Sequence, residues 1–149
     1  MSRESAGQPG VLGTVLGKYH TPDGQIDLPG AEIDLTEFDR VVMVACGTAS
    51  YACLTAKYWF EQIARLPVEV DVASEFRYRE PPIGPRTLAV FVSQSGATAD
   101  TLAALPYCDG TAARTVPVVN VPERSTARQR DPARPNPRPL YPHEDACAA

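Results

Sequence analysis

Leu88-Ala89-Val90-Phe91-Val92-Ser93-Gln94-Ser95-Gly96-Ala97-Thr98 is the stretch that decides how this 149-residue chain is read. Residues 88–92 are continuously apolar, with the length and branching of a strand buried on both faces. A hydroxyl-rich turn with one glycine follows. Ala97 to Leu105 then sets Thr98, Leu102 and Leu105 on one face of a helix. Strand, turn and helix in this order are the first half of a crossover unit, which joins parallel strands.

The same pattern recurs on both sides. Upstream, Val41-Val42-Met43-Val44-Ala45 is a second buried strand, followed by a turn at Gly47-Thr48. Ser50 to Leu66 then has helical spacing, with Ala52, Ala56, Trp59, Ile63 and Leu66 expected on the buried face, and Pro67 bars continuation. Val68 to Val72 alternates like a strand. Ser74 is expected to cap a short helical turn running to Tyr78, and Pro81 to Pro85 is a loop. Downstream, Val116 to Val121 is a fourth strand, weakened by Pro117, and Ser125 to Arg130 a short helix. Strands alternating with helices predict an α/β fold, a three-layer α/β/α sandwich on a parallel sheet.

The ends are different. Residues 1–37 form a lead segment in which Val11, Val15 and Leu16 make a short apolar helical face that Gly13 and Gly17 weaken. Pro22-Asp23-Gly24 is a turn, since proline presets the first central φ and glycine accepts a positive one. Residues 132–149 are rich in Pro and Arg, five prolines falling between 132 and 142. Such a segment is expected to be an extended or disordered tail, with the compact body ending near residue 130.

Composition narrows the function. Hydrophobic residues make up 44% and charged residues 21%, as in soluble globular chains. No apolar run is long enough for a membrane span, and the polar Met1-to-Ser5 opening lacks a secretory h-region. A net charge of −4 disfavours general nucleic-acid binding. Cys46, Cys53, Cys108 and Cys147 show no C-x-x-C, and His20 and His143 stand far apart. No metal or other cofactor is expected, and reduced thiols in a cytoplasmic protein are.

In open α/β sheets ligands bind beyond the carboxyl ends of the strands, which leaves two candidate turns. The first is Ser93 to Thr98. A helix start has N–H groups without intrahelical partners and a positive dipole end. Gly96 lets a backbone approach closely, and Ser93, Ser95, Thr98 and the Gln94 amide can donate. These groups suit a phosphate dianion without a lysine. They equally suit a Ser/Thr cap with no ligand. The GK[ST] element of a Walker loop is missing. The second turn is Cys46-Gly47-Thr48, where Thr48 could add a hydroxyl to the same crevice or simply open the helix. Cys46 is read as a small buried hydrophobe, because neither histidine is placed to serve as its base.

Five stretches together resemble one family. They are Val44 to Thr48, Lys57 to Glu61, Val72-Ala73-Ser74-Glu75-Phe76-Arg77-Tyr78-Arg79, Ser93 to Leu102, and Asn120-Val121-Pro122. They are similar to the isomerase half of the glutamine–fructose-6-phosphate aminotransferases (glucosamine-6-phosphate synthases). The resemblance covers the first of that half's two sugar-isomerase (SIS) subdomains, from about residue 38 to 131. It implies a flavodoxin-like five-stranded parallel sheet. It also implies a phosphosugar site in which Ser93, Gln94, Ser95 and Thr98 hold the phosphate and Thr48 lies near the sugar. Gly47 and Gly96 would then allow close backbone approach. The expected ligand is fructose 6-phosphate or glucosamine 6-phosphate.

The departures from the family pattern matter too. The glutaminase domain, the second SIS subdomain and the family's catalytic lysine, glutamate and histidine have no counterpart among the matched residues. Ala97 stands where the family usually has glutamate, Cys53 where a small residue is usual, and Ala49 where many members have serine. Beyond Asp131 the family's fifth strand gives way to Pro132-Ala133-Arg134-Pro135, as in a truncated or frame-shifted gene. An open sheet edge and uncovered apolar faces are expected to follow, and with them marginal stability or a homodimer. The expectation is a phosphosugar-binding SIS domain inactive by itself. The alternatives are a non-enzymatic sugar-phosphate-binding or regulatory module, and a product whose fold is incomplete.

Overall fold

The computed structural model describes residues 2–26 and 33–119. The anticipated helix at 125–130, the Pro/Arg-rich tail and the end of the fourth strand at 120–121 lie outside the described residues. Within them run α1 (Ser2–Tyr19), β1 (Arg40–Ala45), α2 (Thr48–Trp59), β2 (Val68–Val72), α3 (Ala73–Arg79), β3 (Thr87–Ser93), α4 (Ala99–Cys108) and β4 (Arg114–Val119). The strands form one parallel sheet in the order β2-β1-β3-β4. That is the flavodoxin-like order expected for a doubly wound sheet.

Alternation along each strand divides the core in two. Val42, Val44, Ala89 and Phe91 point to one side, where Ala73 and Phe76 of α3 and Ala104, Leu105 and Cys108 of α4 cover them. Val41, Met43, Ala45, Leu88 and Val116 point to the other, against Cys53 of α2 and Phe38. The three layers are therefore helix, sheet, helix. Phe76 anchors the first side. Its ring meets Phe91 edge-on at 6.1 Å and Tyr107 at 5.5 Å, and each such pair adds about 0.5–1.5 kcal/mol beyond area burial.

Two local expectations need correction. The buried stripe of α2 is Cys53 with the half-buried Ala49, Ala56 and Phe60, while Trp59 and Ile63 face solvent. Of the three consecutive aromatics Tyr58-Trp59-Phe60, one can meet the sheet, and Phe60 takes that place. A π-helical turn over Phe60–Ala64 then breaks the 3.6-residue spacing that pointed to Ile63. The helix stops at Arg65, which is left-handed at φ 57°. Ser74 does not cap α3. Val72 occupies the N-cap position directly at the end of β2, with no side-chain cap bond, and Ser74 lies inside the helix.

α1 is longer than its apolar face suggested and carries Pro9. Leu12 and Leu16 on it are exposed. The turn at Pro22-Asp23-Gly24 forms, with the Gly24 N–H donating to the Thr21 carbonyl at 3.0 Å. Pro117 sits in β4 opposite Phe91. β4 is an edge strand among the described residues, the place in a sheet where a missing N–H is tolerated. The other edge, β2, carries Glu69 and Asp71, both paired with Arg79 of α3. Charge on an edge discourages strand addition.

Candidate functional site

β1 and β3 end side by side, and each passes through a tight turn into a helix. At the end of β1, Gly47 takes φ 58° and ψ −133°, a backbone region that L side chains seldom enter. This sharp turn lets α2 start at Thr48 with no side-chain cap on its first N–H groups. At the end of β3, Gly96 takes φ 62° and Thr98 becomes the N-cap of α4, again without a side-chain cap bond. Two helix N-termini with uncapped donors therefore stand at the carboxyl edge of the sheet. Their dipoles favour an anion there, although Asp100 in the first turn of α4 offsets part of that effect.

The turn between β3 and α4 is tied by its own hydroxyls. Ser93 is buried, and its Oγ accepts from the Gly96 N–H at 3.1 Å and shares a hydrogen bond with Thr98 Oγ1 at 3.0 Å. Ser95 Oγ accepts from the Ala97 N–H at 3.2 Å. Ser93 thus holds the loop in shape from beneath. Gln94 and Ser95 project outward and are exposed.

Between the turns lies a cleft of about 310 Å³. Thr48 and Ala49 form one wall, Ser93 and Gln94 another, and Val118 and Val119 of β4 close it with Val92 at the base. None of these side chains is charged, so recognition of an anion here would rest on N–H and hydroxyl dipoles. Thr48, Ser93 and Gln94 are thereby brought to one cleft. Thr98 is coupled to it through Ser93, and Ser95 and Gly96 stand in the turn beside it. Reasoning from sequence missed the wall from β4. Its signal was the parallel register that sets Val119 beside Ser93, legible only once β4 is known to neighbour β3.

The thiols stand apart from this chemistry. Cys46 is half-buried against the α3/α4 side of the core. Burial pushes the Cys53 thiol up to about 11 and the Cys108 thiol up to about 12. Neither is a nucleophile at neutral pH. Among the described residues no cluster of three His, Cys, Asp or Glu side chains could hold a metal ion, and no helix is long and apolar enough to cross a membrane.

A family model described as the SIS domain matches residues 34–133, more than half of the chain. The chain belongs to the SIS domain family. Its parallel sheet and its helix layers are those of an SIS fold. Among curated relatives, the glutamine–fructose-6-phosphate aminotransferase of Bradyrhizobium diazoefficiens is 51% identical over 137 residues, which is 91% of this chain and 22% of the relative. That of Brucella abortus is 50% identical over 132 residues, 88% of this chain and again 22% of the relative. The chain therefore spans about a fifth of the length of these relatives. Among solved structures, the C-terminal domain of glucosamine-fructose-6-phosphate aminotransferase from Francisella tularensis superposes with a TM-score of 0.75 at 36% identity, covering 85% of this chain and 36% of that one. Glucosamine-6-phosphate deaminase from Thermotoga maritima does so with a TM-score of 0.58 at 27% identity, covering 62% of this chain and 30% of that one. This SIS domain is thus homologous to the C-terminal isomerase domain of the aminotransferases.

Proposed function

We propose that this SIS domain binds a hexose phosphate, fructose 6-phosphate or glucosamine 6-phosphate, in the cleft at the ends of β1 and β3. The observation that carries the proposal is the Ser93–Thr98 turn. It is pre-shaped by its own hydroxyl bonds and is set between two helix N-termini with uncapped donors. Gln94 and Ser95 would hold the phosphate from the exposed side of the turn, and Ser93 and Thr98 would turn their shared hydroxyl bond toward it. Thr48 would face the sugar, and Gly47 and Gly96 would let the backbone come close. The functional unit on this reading is residues 38–131, in a cytoplasmic protein with reduced thiols.

Amino transfer and isomerisation need an amine, a proton shuttle and a ring-opening group. The cleft walls offer hydroxyls, one amide and aliphatic side chains. On this reading the described residues form a binding site for the sugar phosphate and supply none of these three groups at the cleft. That uncharged lining is also what favours the second reading, a non-enzymatic sugar-phosphate sensor.

Calorimetry on the purified chain tests this. Fructose 6-phosphate should bind saturably, and neutral fructose should not. Ser95→Ala and Thr98→Ala should each weaken binding about 10- to 100-fold, the equivalent of one hydrogen bond to a charged group. A folded chain that takes up neither sugar phosphate would overturn the proposal.

A further inference from the structure

The order of the strands leaves one part of the sheet uncovered. The step from β1 to β2 crosses the sheet in one direction, and the steps from β2 to β3 and from β3 to β4 cross it in the other. Right-handed crossovers therefore send α2 to one face and both α3 and α4 to the opposite one. No described crossover passes over β3 and β4 on the α2 side. A groove of about 300 Å³ lies there, lined by Met43, Leu88, Val90 and Val116 of the sheet, Phe60 of the π-helical turn and Leu35. Its lining side chains are all apolar or thiol, so water inside it finds few partners.

The sheet restricts what can fill the groove. The backbones of β1, β3 and β4 are bonded to one another in the ladder. An occupant must bring apolar side chains and satisfy its own backbone. A helix does so internally, and a polyproline segment does so through water. α1 is the described helix with apolar residues to spare, but its Leu12 and Leu16 are exposed and do not line the groove. Val118 of β4 does line it, and the chain continues from Val119.

We propose that the groove is the docking site of this chain's own Pro139-Leu140-Tyr141-Pro142, held in a polyproline-like conformation with Leu140 and Tyr141 supplying the apolar contact. Three arguments select this segment. Leu140 and Tyr141 are the one pair of adjacent large apolar side chains after Val119, and the prolines around them bar a helix while favouring the extended form that apolar grooves accept. The reach suffices. Twenty residues separate Val119 from Leu140, a tether of up to about 60 Å at about 3.1 Å each, against about 20 Å for the length of β4. A tether of this kind keeps the segment at a high effective concentration, so a small contact is enough to populate the docked state. The charges also match. Arg134 and Arg138 precede the segment, while Asp34 and Glu37, exposed on either side of Leu35 in sequence, bring negative charge to the groove.

Nuclear Overhauser contacts in the full chain with ¹³C-labelled Val, Leu and Met methyls test this. The Tyr141 ring should contact the methyls of Met43, Val90 and Val116. Leu140→Asp combined with Tyr141→Asp should abolish these contacts and shift the same methyl resonances. Amide dispersion across the four strands should persist in that variant, because both positions lie outside the sheet. A sample mixing methyl-labelled chains with ring-labelled, methyl-unlabelled chains should show no contact, since the docking is within one chain. Groove methyls that contact no residue beyond Val119 overturn the proposal. So do contacts from Leu12 or Leu16 of α1 in place of Tyr141, or contacts that appear in the mixed sample, for these give the groove a different occupant.

Discussion

The two faces of the sheet are filled differently. On the α3/α4 side, two helices meet over the strands, and Phe76 meets both Phe91 and Tyr107 edge to face. On the other side, among the described residues, α2 is the one long helix against the strands, with Phe38, Ile33 and Leu35 beside it. Beside it runs a groove of about 300 Å³ walled by Met43, Leu88, Val90, Val116 and Val118, with Cys53 and Phe60 of α2 at its margin. The chemistry of the strands is the same on both sides, β-branched and apolar. The difference lies in how many helices the described residues supply to cover each face. A closed layer derives its stability from packing, while the α2 layer leaves apolar surface available for further contact.

Five substitutions or modifications probe that contrast. The largest effect is expected from Phe76→Ala, which removes a fully buried ring from the closed layer and should cost about 3–5 kcal/mol in urea unfolding. Phe60→Ala, beside the groove, should cost about 1–1.5 kcal/mol, roughly half the transfer term of a fully buried side chain, with no sealed cavity left behind. Equal losses would break the distinction between the layers. Next is Thr101→Val in α4. Thr101 is wholly buried, and its hydroxyl has no partner among the described residues. The isosteric change should stabilise the chain by about 1 kcal/mol. A destabilisation would mean that the hydroxyl is bonded in solution.

Thiol chemistry gives a smaller and sharper contrast. Both buried thiols are held neutral by desolvation, Cys53 at about 11 and Cys108 at about 12. At pH 8 iodoacetamide should spare both in the folded chain. Cys53 should be the faster of the two because the groove opens onto it. Peptide mass spectrometry reads the order, and preferential labelling of Cys108 would contradict it. The smallest effect concerns the exposed tie at the end of α2. Hydrogen bonds from Lys57, and then from the Val68 N–H, hold the Glu61 carboxyl below its ordinary value of 4.5. The stability it contributes is therefore present above that value and is lost as the pH falls through the lowered one. Glu61→Gln should shift the urea midpoint at pH 7, by an amount that shrinks as the pH is lowered below 4.5.

Much of this was legible before any coordinates. Continuous apolar runs at 41–45 and 88–92 gave the central strands, because a strand buried on both faces has no polar period to hide it. The turn from Ser93 to Thr98 was visible as hydroxyls and one glycine between a strand and a helix. The orientation of α2 was not. Alanines at 49, 52 and 56 fit either face, and three aromatics in sequence left the choice to tertiary packing and to a π-helical turn that no spacing rule signals. Nor could the sequence separate the roles within the site turn. Ser93 and Ser95 look alike in a string of residues. One is buried and ties the loop, and the other is exposed on it.

The central claim is that the anion site lies at the carboxyl ends of the strands. The chain has a rival at the opposite end, a cleft of about 360 Å³ lined by Arg40, Arg86 and Asp39, where a phosphate would have to compete with the Asp39 and Glu69 carboxylates already paired with the two arginines. Titrating fructose 6-phosphate into ¹⁵N-labelled chain and following backbone amide shifts discriminates the two directly. The account predicts saturable shifts at the Ser95, Gly96, Ala97 and Thr98 amides and at Thr48 to Ser50, with Arg40 and Arg86 little changed. Saturable shifts centred on Arg40, Gly84 and Arg86, with the Ser95–Thr98 amides silent, would contradict it.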